Sequence, residues 1–216
     1  TTYTWTAAGT NVTGAASGAG NFISQVLYST DGLTNGSVTY SITPSANGCP
    51  GPVFDVVVAV RPTPVMTNSA PSLSQQICSA EGLNFIPTAT ILGTTFSWTS
   101  SITGPVVSGT VNASGSGPIT DAPQNNGNVS GTVTYTITPT IAGCPGSPVT
   151  LVVTVKPLPS ATASNSTICS GETAVINILP APQNVTGTTF SWTAAPTGNV
   201  AGATNGNGST INQVLS

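Results

Sequence analysis

Side chains able to carry out acid–base or nucleophilic chemistry are scarce in this sequence. Its 216 residues include five carboxylates, two cations and no histidine. The charged residues are Asp31, Asp55, Arg61, Glu81, Asp121, Lys156 and Glu172. General acid–base catalysis needs ionisable groups held together with tuned pKa values, and the many Ser and Thr hydroxyls have no base to activate them. The sequence therefore predicts no catalytic residue and no enzyme activity.

Metal, nucleic-acid and membrane binding are also poorly supported. Calcium needs several carboxylate or carbonyl oxygens in one loop, and the sequence contains no D-x-D or D-x-N-x-D loop. A net charge of −3 with two cations suits neither a phosphate backbone nor an anionic lipid surface. Apolar runs are shorter than the roughly 20 residues of a membrane span. We expect no cofactor, no metal, no nucleic-acid partner and no membrane insertion.

The four cysteines are the remaining reactive groups. Cys49, Cys78, Cys144 and Cys169 follow one another at intervals of 29, 66 and 25 residues. These intervals match no zinc pattern, and the missing histidine removes the other common zinc ligand. Disulfide bonds are therefore the predicted use, which implies an oxidising, extracellular compartment.

The elements that position these cysteines belong to an internal repeat. The phrase TTYTWTAAGT (1–10) returns as TTFSWTSSIT (94–103) and TTFSWTAAPT (188–197). GCPG recurs at 48 and 143, and ICS at 77 and 168. The period is thus about 91 to 95 residues, as in tandem-repeat proteins.

The repeat boundaries are predicted at two basic-Pro-x-Pro segments. Proline fixes φ and restricts the residue before it, so such segments form short, stiff joints. The predicted units are a partial repeat at 1–61, a complete repeat at 62–157 and a partial repeat at 158–216. Because both chain ends fall inside a repeat, we expect the sequence to be a window on a longer array. The linker residues are Arg61, Pro62, Pro64, Lys156, Pro157 and Pro159.

Each repeat is predicted to be an immunoglobulin-like β-sandwich, which makes the chain all-β. The segment TVTYTITPT alternates apolar and hydroxyl residues, a pattern typical of a half-buried antiparallel strand. VTLVVTV follows after a Gly-Cys-Pro-Gly turn and completes a hairpin, while GLNFI and PITDA are predicted as shorter strands. A unit of this length with several short strands and one Trp fits the sandwich architecture. The predicted core aromatics are Trp5, Trp98, Trp192, Tyr40 and Tyr135.

One disulfide pairing is favoured, and a second remains open. The complete repeat contains Cys78 near its start and Cys144 in its last hairpin, so a bond between them is the simplest arrangement. Such a bond would stabilise the repeat by about 4 kcal/mol in the chain-entropy model. Cys49 and Cys169 would then pair outside the sequence window. The alternative joins neighbouring repeats through Cys49–Cys78 or Cys144–Cys169.

Charged residues recur at matching places in the repeats. Arg61 and Lys156 stand at the two joints, and Glu81 and Glu172 follow the first cysteine of their repeats. These residues are expected either to pair across a joint and set its angle, or to be solvated charges that contribute roughly 0–1 kcal/mol.

The motifs ICSGET, GTTFSWT and GTVTYTITPTIAGCPGSPVTLVVTVKPLP, with their copies, resemble the PKD-like, immunoglobulin-related repeats of very large Bacteroidota surface proteins. That group includes the SprB-type gliding-motility adhesins exported by the type IX secretion system. The resemblance covers the whole chain, with small departures at Ala80, where the other copy has Gly171, and at Ala142, where it has Asn47. It implies a long filament of tandem domains at the cell surface and no catalytic residue.

The predicted function is that of stalk or spacer repeats in an extracellular adhesin filament. The expected partners are the neighbouring repeats of the same chain and, through other parts of the parent protein, surface polysaccharide or the gliding and secretion machinery. Two alternatives remain: an array of carbohydrate-binding modules, and accessory domains of a secreted hydrolase.

Overall fold

Strands account for the regular structure of this chain in a computed structural model that describes residues 1–180 and 184–216. The first repeat contains β1 (Thr2–Thr10), β2 (Val12–Thr13), β3 (Gly18–Ala19), β4 (Tyr28–Ser29), β5 (Gly36–Ala46), β6 (Cys49–Pro50) and β7 (Phe54–Val60). The second contains β8 (Ser74–Cys78), β9 (Thr95–Thr103), β10 (Ser114–Ser116), β11 (Gly131–Ile141), β12 (Cys144–Pro145) and β13 (Val149–Lys156). The third contains β14 (Ala161–Thr162), β15 (Thr173–Asn177), β16 (Leu179–Pro180), β17 (Ser191–Trp192), β18 (Gly206–Asn207) and β19 (Thr210–Val214). Among the described residues the one helical segment is a 3₁₀ turn at Ser108–Thr110, so the all-β prediction is confirmed.

The main sheet of the second repeat has the order β10-β9-β11-β13-β8, with β12 added beside β11. All pairings are antiparallel except that of β8 with β13, which is parallel. The alternating sequence of β11 explains its place at the centre, because Val133, Tyr135 and Ile137 are fully buried on one face. The intervening threonines are directed to the opposite face, as the two-residue period of a strand requires.

A second, less regular layer covers this sheet and completes the sandwich. It is held by a Met66–Ala89 bridge and a Phe85–Ile119 bridge. The Phe85–Ile119 bridge joins the two segments predicted as shorter strands, GLNFI and PITDA. The residues buried between the layers are Met66, Ile77, Leu83, Phe85, Trp98, Val106, Ile119, Val133, Tyr135, Ile137, Leu151, Val153 and Val155.

A tryptophan packed on a glycine recurs in each repeat. Trp98 meets Tyr135 edge-to-face, with ring centroids 5.5 Å apart and an interplanar angle of 82°. Gly115 lies opposite Trp98 in the β9–β10 pairing, and a methyl group on Gly115 would overlap the indole ring. The same close approach joins Gly18 to Trp5 and Gly206 to Trp192. The Trp strand and the glycine that follows it are thus one packing unit.

The incomplete repeats expose the face that the second repeat buries. Phe54, Val56 and Val58 are 49%, 43% and 36% exposed, although their alternation predicts an inward face. In the second repeat the corresponding face of β13 is covered by the layer that contains Leu83 and Phe85. The apolar side chains of β7 are therefore less covered than those of β13.

Candidate functional site

The joint between the first two repeats is the most specific contact outside the sandwich cores. Arg61 extends beyond the end of β7, and its Nη1 donates a hydrogen bond to the carbonyl oxygen of Ala142 at 2.6 Å. Ala142 lies in the turn after β11, which belongs to the second repeat. A cation at the end of one repeat therefore binds the backbone of a turn in the next.

The linker after Arg61 packs as part of the second sandwich. Pro62 and Pro64 are buried, and Pro64 is one of the largest fully buried side chains. The carbonyl of Pro64 lies so close to Gly146 that any side chain at Gly146 would collide with it. Because the proline rings also restrict φ, this linker has little freedom to bend.

The second linker has the same residue pattern but a different environment. Lys156 and Pro159 are exposed, and Leu158 is 52% exposed. The first linker is therefore more closely packed than the second in this structure.

A loop of the first repeat forms the other wall of the joint. Asp31 accepts hydrogen bonds from the Thr34 hydroxyl at 2.6 Å and from the backbone N–H groups of Leu33 and Thr34 at 2.9 and 3.0 Å. These bonds, with the Thr34 hydroxyl first, hold the pKa of Asp31 well below its usual range. The ordered loop and the turn of the second repeat enclose an open cleft of about 460 Å³. The cleft is lined by Leu33, Thr34, Asn35, Arg61, Pro62, Ile91, Ile141 and Ala142.

Asp121 is a buried carboxylate for which the sequence pattern predicts no role. It accepts hydrogen bonds from the Tyr135 hydroxyl at 2.8 Å, from the backbone N–H of Asn112 at 3.2 Å and from the Asn112 side-chain amide. Burial, followed by the hydrogen bond to Asp121, raises the pKa of Tyr135 above its usual range. The group ties the loop after β9 to the central strand.

The other repeats use an amide where the second uses Asp121. Gln25 accepts a hydrogen bond from the Tyr40 hydroxyl at 2.8 Å and exchanges two bonds with the Ala16 backbone. Gln213 makes the same double contact with the Thr204 backbone. The signal in the sequence is the polar residue two positions after an isoleucine in FISQV, PITDA and TINQV. These contacts are structural and involve no reactive arrangement.

The glutamates do not bridge the joint. Glu81 accepts a hydrogen bond from the backbone N–H of Cys78 at 2.8 Å, and Glu172 does the same for Cys169 at 2.9 Å. Each carboxylate therefore closes the turn of its own ICS segment. Glu81 and Glu172 thus bind within their own repeats, whereas Arg61 crosses the joint.

The predicted Cys78–Cys144 disulfide is wrong for this fold, because the two cysteines lie at opposite ends of the second repeat. Cys78 pairs with Lys156 at the end of β13, whereas Cys144 lies in the turn before β13 begins. Seven residue steps along that strand span about 23 Å, and a disulfide requires Cα atoms within about 7 Å. The sequence indicates that Cys78 is near the start of the repeat and Cys144 in its last hairpin, but it contains no information on which end of the sandwich each residue occupies.

The alternative pairings between repeats also place the thiols too far apart. Cys49 lies in the turn before β7, so it is at the end of the first repeat remote from the second. Cys78 lies at the end of the second repeat remote from the first, so a Cys49–Cys78 bond would have to span both sandwiches. The same argument applies to Cys144 and Cys169, because Cys169 occupies the turn that corresponds to that of Cys78.

The tryptophans serve packing. Trp98 exposes only 6% of its surface, Tyr40 and Tyr135 are buried, and Trp5 and Trp192 are half-buried in their incomplete repeats. Trp98 therefore offers no open face on which a sugar ring could stack. Over residues 1–180 and 184–216, no group of three or more His, Cys, Asp or Glu side chains converges as a metal site would require. A search of the same residues for helices long and apolar enough to cross a membrane finds none.

Comparison with known proteins identifies the repeat. A model of the PKD-like domain matches residues 1–64, 75–159 and 166–216. No curated protein matches the chain. PKD-like domains are typically extracellular, generally non-catalytic and suited to structural or adhesion-type roles. With matches that extend over most of its length, the chain belongs to the PKD-like domain family.

Proposed function

We propose that this chain is a stalk segment of a long extracellular adhesin filament on a bacterial surface. In this proposal the repeats are spacers that give the filament reach, and their partners are the adjoining repeats. The repeats meet at Arg61–Pro62 and Lys156–Pro157. Attachment to surface polysaccharide or to gliding and secretion machinery belongs to other parts of the parent protein.

The packed joint between the first two repeats is the observation that supports this proposal. A stalk keeps its reach if consecutive domains cannot rotate freely, whereas a flexible linker behaves as a random coil. Here Arg61 binds the turn at Ala142, and Pro64 is buried against Gly146 of the same hairpin. These two contacts with one hairpin restrict the motion of the linker.

The composition of the surface fits the same role. With seven charged side chains in the whole sequence, the exposed strand faces present mainly hydroxyl and amide groups. Such a surface has weak long-range electrostatics and no arrangement for catalysis. The motifs ICSGET and GTVTYTITPT support assignment to SprB-type gliding-motility adhesins and therefore to export by the type IX system.

Immunogold electron microscopy with an antibody raised against the purified chain tests the proposal. On intact cells that produce the protein, we expect gold particles on filaments outside the outer membrane. Limited protease treatment of intact cells should release the antigen and abolish adhesion or gliding. Antigen found only inside protease-treated cells, with motility and adhesion unchanged, would contradict the proposal.

A further inference from the structure

The two kinds of cysteine lie at opposite ends of a repeat. In the second repeat, Cys78 is beside Lys156 at the end that leads to the third repeat. Cys144 is in the turn at the end that faces the first repeat, two residues after Ala142. Each complete repeat therefore carries one thiol at each end, and Cys78 is exposed while Cys144 is half-buried.

The Arg61 contact fixes which thiols face each other at a joint. Arg61 corresponds to Lys156, because Val60 pairs with Gly36 as Val155 pairs with Gly131. Lys156 has Cys78 as its neighbour on the adjacent strand. A cysteine in the place of Cys78 in the first repeat would thus lie about 5 Å from the Arg61 backbone. The Arg61 side chain already contacts the turn that contains Cys144.

We propose that consecutive repeats are joined by a disulfide between the ICS cysteine of one repeat and the GCPG cysteine of the next. Every joint then receives one thiol from each side. The four cysteines of this sequence do not form such a pair with one another, since Cys78 and Cys144 lie at opposite ends of the same repeat. The bond would lock the joint where the proline linker and Arg61 already restrict motion, so this inference rests on the proposed role as a tandem stalk.

The chemistry is thiol–disulfide exchange. One cysteine thiolate attacks an acceptor disulfide, such as that of an oxidoreductase or oxidised glutathione, and forms a mixed disulfide. The second cysteine thiolate displaces the acceptor sulfur and forms the bond between repeats. Two protons leave the protein thiols, and the two electrons reduce the acceptor disulfide to two thiols.

A minimal extension of the chain tests the pairing. Ser216 occupies the place of Gln124 in the repeat. The Ser216 carbonyl accepts a hydrogen bond from the Ala201 N–H, just as the Gln124 carbonyl accepts one from the Val107 N–H. A copy of residues 125–159 fused after Ser216 therefore completes the third repeat and supplies one additional GCPG cysteine. After oxidation with a glutathione redox buffer, non-reducing peptide mapping should join Cys78 to the copied cysteine. Cys49, Cys144 and Cys169 should remain free.

Two controls keep the result decisive. The variant Cys78→Ser in the extended chain should lose the cross-link, whereas Cys169→Ser should retain it. The original 216-residue chain should show no disulfide between any two of its own cysteines after the same oxidation, which does not depend on the extension folding. A Cys78–Cys144 bond in either chain, a bond between Cys169 and the copied cysteine, or no cross-link in the extended chain would overturn the inference. None of these outcomes affects the immunogold test, so failure of the cross-link and failure of the proposed function are distinguishable.

Discussion

The close packing of Gly115 on Trp98 makes a quantitative prediction for the substitution Gly115→Ala. The added methyl carbon would fall on the indole ring, with Cε2 and Cη2 both at 2.8 Å. The ring cannot move aside easily, because only 6% of the Trp98 surface is exposed and the ring packs edge-to-face against Tyr135. Overpacking of a core usually costs about 1–3 kcal/mol. Because the neighbour is a rigid aromatic ring, we expect Gly115→Ala to destabilise the repeat by about 2–3 kcal/mol, in the upper part of that range.

A matched control exists in the same repeat. Gly82 has no atom within 4 Å of the position its methyl group would take, and its φ lies outside the left-handed region. Gly82→Ala should therefore change stability by no more than about 0.5 kcal/mol. The assay is urea unfolding followed by the Trp98 indole N–H resonance, which reports on the complete repeat. If Gly115→Ala were as stable as Gly82→Ala, the tryptophan–glycine packing unit would be refuted.

Five further substitutions test the turns and the buried polar group. Ala142 adopts a left-handed φ of 47°, and the corresponding residue of the first repeat, Asn47, has a φ of 51°. Because Asn tolerates this region better than Ala, Ala142→Asn should raise the free energy of unfolding by about 0.5–1 kcal/mol. Asn47→Ala should lower it by a similar amount, as measured by urea unfolding. Glu81→Ala should destabilise by about 1 kcal/mol, because the Cys78 N–H loses a charge-assisted hydrogen bond, and a Gln at the same position should recover part of the loss. Because the pKa of Tyr135 is raised in the folded state, its stabilising effect is complete below its ordinary pKa of about 10 and declines as the pH rises above that value. Urea unfolding between pH 8 and pH 11 should show a smaller alkaline decline for Tyr135→Phe than for the unmodified chain.

Local patterns predicted the elements of this fold well. The alternation around Tyr135 located the central strand, and the GCPG motif marked a turn, because these signals depend on neighbouring residues along the chain. The second layer of the sandwich was harder to predict from the sequence, because Phe85 and Ile119 are joined by an isolated bridge and not by long alternating strands. The alternation of β7 predicts an inward face, but Phe54, Val56 and Val58 are exposed, because covering that face depends on a layer from elsewhere in the repeat.

The errors concern relations between distant elements. The cysteines were paired by counting one of each kind in a repeat, and counting does not reveal that the parallel β8–β13 pairing places Cys78 at the far end of the sandwich. The binding of Arg61 to Ala142 spans 81 residues, and no periodicity encodes such a contact. Asp121 was seen as an isolated acid because its partners, Tyr135 and Asn112, come from two other segments.

Residual dipolar couplings of the backbone N–H groups test the central claim, that the packed joint makes the first two repeats one rigid unit. The unmodified 216-residue chain should fit a single alignment tensor for residues 1–157. The variant Arg61→Ala should lower the agreement between the two repeats while each repeat alone still fits, because only the hydrogen bond to Ala142 is removed. Two tensors of clearly different magnitude in the unmodified chain would contradict the account.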